Sequence, residues 1–228
     1  METSDLLEFI RIVVDSETDS VRDRLEAGPA LAAMSINVGA TRQNAGSFFF
    51  ASIRHYLYAG DTALHMAAAA FRLPVAKLLV KHGADHGARN RRGAQPLHYA
   101  ADANRWDPKA QARIIAYLLS IGADANATDR SGVAPLHRAV RTRSEPAVRA
   151  LLDGGANPRL PNGAGSTPLH LAVQTTGRGG SGTDEARQQQ AATIRLLLER
   201  GARPTDPDAG GKTVHQAAIS EWIRSLLD

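Results

Sequence analysis

Apolar residues recur along the chain at spacings of three and four, the pattern of helices that bury one face. Four such stretches are separated by polar segments that contain glycine. Their apolar residues are Val75, Ala76, Leu79 and Val80; Ile114, Ile115, Leu118 and Leu119; Val148, Leu151 and Leu152; Ile194, Leu197 and Leu198. A fifth stretch near the start contains Leu6, Leu7, Ile10 and Val14. The pattern predicts a mainly helical protein.

A shorter pattern precedes each of the four stretches. A glycine opens a six-residue segment that ends in Leu-His, and the four segments cover residues 60–65, 93–98, 132–137 and 165–170. Threonine at the third position can cap a helix, and proline at the fourth fits the first helical position. A Gly-Ala pair follows each stretch, at Gly83, Gly122, Gly155 and Gly201. Glycine there suits the left-handed residue that ends a helix. The chain therefore reads as a repeated helix pair, which buries its apolar stripe only by stacking on its neighbours.

These segments make the chain resemble the ankyrin repeat family, whose unit is a hairpin finger followed by two antiparallel helices. The resemblance implies a mainly α fold, an ankyrin-repeat solenoid of stacked helix pairs with hairpin fingers. It also implies that the motif histidines hydrogen-bond neighbouring fingers rather than bind metal; they are His65, His98, His137 and His170.

The repeat boundaries predict one ankyrin-repeat domain over residues 1–228. An N-terminal cap spans 1–28, an extended first finger or arm spans 29–59, and a C-terminal cap spans 211–228. The inner repeats are 60–92, 93–131, 132–164 and 165–210. The second and fourth repeats are longer than the others. We expect their extra residues to start helix two early, at Asp107-Pro108 and near Asp184, with a flexible loop at 176–182.

The arm at residues 29–59 is the largest departure from the repeat. It contains Phe48, Phe49, Phe50, Tyr56 and Tyr58, five of the eleven aromatic residues. We expect a short helix near residues 47–58. The arm either packs on its own repeats or engages a partner. Our hypothesis is that it folds over Ala69 and Ala70 with Phe49 buried, because apolar clusters usually pack on their own protein.

Composition excludes several classes of chemistry. The chain has 228 residues, no cysteine and a formal charge of +4. This excludes disulfides and thiolate chemistry, and it fits a reducing, cytoplasmic location. We expect no secretory signal, no membrane span, no cofactor and no enzymatic activity, because the usual catalytic motifs are missing. A net charge this small argues against nucleic acid as a partner. Arginine outnumbers lysine 23 to four, which favours a GC-rich, bacterial genome. His82 and His86 are weak metal candidates, since Gly83 interrupts the helix between them.

The resemblance implies that a partner contacts the finger tips and the end of helix one. These positions carry Tyr58, Arg91, Arg92, Asp102, Arg130, Ser131, Arg141, Thr142, Arg143 and Gln174. Their arginines are either solvated surface charge or a site for carboxylates, which arginine contacts in a bidentate manner. We expect a monomeric protein–protein interaction module that binds an acidic partner on this concave, arginine-bearing face. The alternative is a regulatory or polyanion-binding protein whose arm gates that face.

Overall fold

The computed structural model describes residues 3–102, 107–174 and 183–228. These residues contain twelve α-helices, two short 3-10 helices and one two-stranded hairpin. They form two compact units, Met1–Asp124 and Ala125–Asp228, called here the first and the second unit.

The first unit consists of three helix pairs. The helices are α1 (Thr3–Asp15), α2 (Thr18–Ala27), α3 (Ala63–Ala69), α4 (Leu73–Lys81), α5 (Pro96–Ala101) and α6 (Pro108–Ser120). Helix α3 packs between α1 and α5, while α4 packs between α2 and α6. The two layers enclose a core that includes Phe9, Ile10, Leu64, Leu79 and Leu97, all fully buried.

The second unit repeats this arrangement. Its helices are α7 (Pro135–Thr142), α8 (Glu145–Asp153), α9 (Pro168–Ala172), α10 (Asp184–Glu199), α11 (Val214–Ala217) and α12 (Glu221–Arg224). Helix α9 packs against α7 and α11, and α10 packs against α8 and α9. Leu136, Leu151, Leu169, Ile194 and Leu197 are buried between them.

The helix ends lie where the sequence pattern places them. Pro96, Pro135 and Pro168 are the first residues of α5, α7 and α9. The four predicted helix-ending glycines all have positive φ: Gly83 at 90°, Gly122 at 99°, Gly155 at 88° and Gly201 at 93°. Since residues with a Cβ atom rarely adopt such angles, glycine is needed there.

The inserted residues also extend the second helices as predicted. Asp107 caps α6 by accepting a hydrogen bond from the amide of Ala110 at 3.0 Å. Helix α10 begins at Asp184, with Thr183 as its cap. Residues 103–106 and the predicted flexible loop at 176–182 lie outside the described residues.

Hairpin turns and histidines join successive repeats within each unit. The amide of Arg91 donates to Ala59 O at 2.8 Å, and the amide of Gly163 donates to Ser131 O at 3.0 Å. Each motif histidine accepts a backbone N–H on Nδ1, so its Nε2 carries the proton. Nε2 then donates to the next turn, from His65 to Ala94 O, from His137 to Ser166 O and from His170 to Lys212 O, at 3.1–3.2 Å. The predicted role of these three histidines is confirmed.

The arm differs from its prediction, and the expected helix over residues 47–58 is wrong. A short 3-10 helix covers Ala45–Phe48, and the hairpin strands β1 (Phe49–Phe50) and β2 (His55–Tyr56) follow. Phe50 and His55 pair on the buried side, whereas Phe49 and Tyr56 pair on the outer side. Aromatic residues favour strands, and their side chains then alternate between two faces.

The same alternation overturns the expected burial of Phe49, which is 39% exposed. Phe50, Ile53 and Leu57 provide the buried side of the arm instead, at 3%, 2% and 0% exposure. Phe50 lies under the guanidinium of Arg11 in α1, and Ser52 donates a hydrogen bond to Asp15. The arm therefore packs on its own repeats, as the fold-back hypothesis requires, but through other residues.

Candidate functional site

Three of the predicted contact residues meet at a finger tip of the first unit. The turn from Asn90 to Gly93 places Arg91 and Arg92 at its exposed end, where the side chain of Asn90 accepts hydrogen bonds from the amides of Arg92 and Ala94. Both guanidinium groups lie over the ring of Tyr58, at 5.5 and 5.0 Å from its centroid. Arg91 also donates to Ala40 O. These arginines therefore help to hold the arm.

A shallow cleft of about 240 Å³ lies beside this tip. Its lining comprises Ala40, Thr41, Arg42, Ala45, Tyr56, Tyr58 and Arg91. Tyr56 is 38% exposed, and its ring lies 4.8 Å from that of Phe49. Sequence reasoning missed Arg42, Phe49 and Tyr56 as surface residues because it treated the segment as a helix packed on the core.

Asp102, the fourth predicted residue of the first unit, faces the arm. His55 Nε2 lies 3.8 Å from Asp102 Oδ2, and the His55 ring lies 4.4 Å from that of Tyr99. The nearby Ala69 and Ala70 are 0% and 2% exposed. Because the arm occupies the helix-one end of this unit, Asp102 is less accessible than the sequence suggested.

A buried carboxylate lies below the same turn. Asp61 is fully buried and accepts hydrogen bonds from Tyr99 Oη at 2.8 Å, from Asn90 Nδ2 at 2.8 Å and from the amide of Tyr58 at 2.6 Å. Burial lowers the pKa of the neighbouring His65, although the charge of Asp61 acts in the opposite direction. With every neighbouring donor committed and no exposed surface, this cluster stabilises the fold and has no route to a substrate.

The finger tip of the second unit carries Arg130 and Ser131, both exposed. The preceding Asp129 fixes the turn, accepting hydrogen bonds from the amide of Ser131 at 2.8 Å and from Arg138 Nη2 at 2.9 Å. Burial raises the pKa of Asp129, but the hydrogen bonds from Arg138, Ser131 and Val133 outweigh it and hold that pKa below its usual value. These hydrogen bonds hold the turn, and Arg130 is exposed at its end.

The remaining predicted residues lie at the ends of α7 and α9. Arg143 adopts a left-handed conformation with φ of 56° and ends α7. Thr142 donates its hydroxyl to Ala139 O at 2.9 Å, so it contributes to the helix end rather than to a free surface. Arg141 is exposed and Arg143 half-buried. Burial lowers the pKa of Arg143, which nevertheless stays charged.

A small pocket of about 120 Å³ brings three of these positions together. Arg141, Arg143 and Gln174 line it with Val140, Leu171, Ala172, Gln190 and Thr193. Sequence reasoning missed Gln190, which lies in a polar run. Its position four residues before the buried Ile194 was the available signal. Gln111 is the equivalent residue of α6, and it donates to Ala100 O at 3.0 Å.

Within the described ranges, no group of three or more His, Cys, Asp or Glu side chains could hold a metal ion. Of the two weak metal candidates, His86 has its Nδ1 3.9 Å from Oδ1 of the neighbouring Asp85. Nor does any helix in the described ranges combine the length and the apolar character that crossing a bilayer requires.

Comparison with known proteins agrees with the repeat architecture. A family model described as ankyrin repeats (3 copies) matches residues 39–129 and 108–208. No curated protein matches the chain.

Proposed function

The chain belongs to the ankyrin repeat family, and from this we propose that it binds an acidic partner protein through an arginine-bearing surface of its second unit. Ankyrin repeats are generally protein–protein interaction modules, and proteins built from them are typically non-enzymatic scaffolds. The surface comprises Arg130, Arg141, Arg143 and Gln174, and it is called the arginine surface below.

One observation carries the proposal, namely the distribution of ion pairs within the second unit. Four arginines have carboxylate partners: Arg138 with Asp129, Arg149 with Glu145, Arg159 with Asp206 and Arg200 with Asp153. Among the residues that the structure describes, Arg130, Arg141 and Arg143 have no such partner. Arginine binds carboxylates through planar, bidentate hydrogen bonds, and it is enriched in protein interfaces. An acidic partner supplies the missing counter-charges.

The first unit supports placing the partner on the second. In the first unit, the arm lies at the end of helix one of the repeats, where His55 is close to both Tyr99 and Asp102. The arm's buried side chains are as enclosed as the helical core, which does not favour an arm that opens to gate a groove. Arg91 and Arg92 are exposed at the first unit's tip, but both contact the ring of the half-buried Tyr58.

Partner capture with charge-reversed variants tests the proposal. The variant carrying Arg130→Glu and Arg141→Glu should capture at least about tenfold less of any partner that the parent retains, since each buried or bidentate ion pair at an interface contributes strongly. The control carries Arg195→Glu and Arg203→Glu, two exposed arginines of the same unit, and makes the same change in net charge. Equal loss in both variants, or in neither, would exclude the arginine surface.

The salt dependence of binding distinguishes an acidic partner protein from a polyanion. Binding to a nucleic acid or a similar polyanion should fall steeply and log-linearly with salt, because counterions are released. A protein interface with several carboxylates and an apolar part should weaken modestly over the same range. A steep dependence, together with capture of nucleic acid, would replace the proposal.

A further inference from the structure

The pocket of the second unit contains an unusual combination of groups, and it deepens the proposed function, on which it rests. Two arginines, Arg141 and Arg143, line it together with Gln190. Gln190 is only 1% exposed. A glutamine so enclosed needs hydrogen-bond partners for both ends of its carboxamide.

Only one end of the Gln190 carboxamide has such partners. Nε2 donates to Ala172 O at 2.6 Å and to Gln174 O at 2.8 Å. Both partners are carbonyl oxygens, which accept and never donate, so the carboxamide cannot be turned round. Oε1 is buried and receives no hydrogen bond from any described residue. A group that binds in this pocket therefore completes the structure if it brings an N–H donor.

The arginines add a requirement for negative charge. Neither Arg141 nor Arg143 has a carboxylate or another acceptor for its guanidinium within the described residues. The occupant must then combine an anion with an N–H donor a short distance away. An acidic amino-acid residue in a peptide chain has this combination, since its side chain carries a carboxylate and its backbone an amide.

The pocket volume limits the occupant to one side chain. At about 120 Å³ it lies well below the roughly 300–1,000 Å³ of a small-molecule site. We propose that this pocket binds a single aspartate or glutamate residue of the partner, with its carboxylate on Arg141 and Arg143 and its backbone N–H on Gln190 Oε1. The residue acts as the anchor of the interface on the arginine surface.

Model compounds test this without the partner being known. The probe is N-acetylglutamate N-methylamide, titrated into the full-length, ¹⁵N-labelled protein while the Gln190 side-chain amide and the Arg143 Nε–H signals are followed by NMR. We expect saturable shifts of both signals. N-acetylglutamine N-methylamide, which has the same shape without the charge, should bind about tenfold more weakly or not at all. An analogue with an ester oxygen in place of the glutamate N–H should also lose affinity.

Matched variants locate the binding. Arg143→Gln should abolish the shifts at Gln190, whereas Arg195→Gln, on the exposed face of α10, should leave them unchanged. Arg141→Gln provides a second test if the first variant proves poorly folded by circular dichroism. N-acetylalanine carries a terminal carboxylate, and tighter binding of this compound than of the glutamate probe would overturn the assignment to an acidic side chain.

Other outcomes overturn the pocket without affecting the proposed function. If the ester compound binds as tightly as the glutamate probe, the N–H of the probe does not donate to Gln190. If the glutamine compound binds as tightly as the glutamate probe, the carboxylate does not contribute to binding. If the glutamate probe does not shift Gln190, yet the Arg130→Glu and Arg141→Glu variant still loses its partner, the arginine surface binds carboxylates outside this pocket. The proposed function itself fails when those charge reversals lower partner capture no more than the Arg195→Glu and Arg203→Glu control does.

Discussion

Ala134, the N-cap residue of α7, lacks the side-chain oxygen that two equivalent positions have. In the first unit the hydroxyl of Thr62 lies 3.4 Å from the amide of His65 and 3.0 Å from its Nδ1. Ala134 has the same extended conformation as Thr62. Its amide donates to His137 Nδ1 at 3.2 Å, as the amide of Thr62 donates to His65 Nδ1 at 3.1 Å. The backbone at Ala134 is therefore already arranged for a threonine.

Ala134→Thr should stabilise the protein by about 0.5–2 kcal/mol, the usual contribution of a capping hydroxyl. The site accommodates the larger side chain, because Thr62 and Thr167 are both 4% exposed and Ala134 is 1% exposed. Chemical denaturation measures the change. Ala134→Val is the control, since it adds a branched side chain without an oxygen. A threonine variant no more stable than the valine variant would contradict the cap.

Two of the motif histidines make the stability dependent on pH. Burial lowers the pKa of His65 and of His137, despite opposing effects of a carboxylate and of backbone hydrogen bonds. In the unfolded chain both titrate near the ordinary value of about 6.5. The unfolded state then binds protons more readily than the folded state. The contribution of the neutral His65 and His137 to the free energy of unfolding is therefore complete above about pH 6.5 and is lost as the pH falls.

Urea denaturation between about pH 7.5 and about pH 5.5 measures this effect, in a range where carboxylates stay ionised. The denaturation midpoint should fall as the solution becomes more acidic. A midpoint that is constant or rises towards pH 5.5 would mean that the two buried histidines protonate freely in the fold.

At the scale of a single element, the arm distinguishes two neighbouring phenylalanines. Phe50→Ala should destabilise the fold by about 3–5 kcal/mol, as expected for a buried aromatic residue. Phe49→Ala should cost less than about 1 kcal/mol, because that ring is 39% exposed and contacts Tyr56 on the outer face. Chemical denaturation of the two variants compares them directly. If Phe49→Ala lowered the free energy of unfolding more than Phe50→Ala does, Phe49 rather than Phe50 would lie on the buried side of the hairpin.

The same element shows why sequence predicts the repeats better than the arm. The repeats carry start and stop signals for their helices, such as Pro135 at the start of α7 and Gly155 after the end of α8, so local chemistry fixes these ends. In the arm, Phe50, Ile53 and Leu57 are separated by three and four residues, which also fits a helix. The hairpin that forms instead depends on distant contacts, of Phe50 with Arg11 and of His55 with Tyr99, and Arg54 closes it with a positive φ of 51°. No local signal at Arg54 indicates that conformation.

Only part of the candidate site could be predicted from the sequence. The repeat pattern placed Arg141, Arg143 and Gln174 at helix ends, and the structure brings these residues to one pocket. The repeat pattern could not reveal the hydrogen bonds of Gln190, since these depend on the carbonyl groups of Ala172, at the end of α9, and of Gln174, just beyond it. Nor could it reveal that His55 approaches Asp102, because the two residues are far apart in sequence.

At the scale of the whole molecule, stability depends on contacts between neighbouring repeats, because no helix pair buries its own apolar face. The end of the second unit therefore needs a cap. Helices α11 and α12 supply it with Val214, Ala218, Ile223 and Leu227, all buried. Trp222 and Leu226 of the same cap are half-buried, while Glu221, Arg224 and Ser225 are exposed. The outer side of the cap is therefore partly polar, as terminal repeats require for solubility.

Deleting residues 211–228 should expose the apolar side of α9 and cause aggregation or fraying of the last inner repeat. His170 would also lose its acceptor, Lys212 O, to which Nε2 donates at 3.2 Å. Size-exclusion chromatography and hydrogen exchange of α9 and α10 measure the two effects. Ile219→Ser is the control, because Ile219 is 73% exposed in the same cap and its replacement should leave both measurements unchanged. A truncated chain that stays monomeric, with the protection of α9 intact, would show that the second unit folds without these two helices.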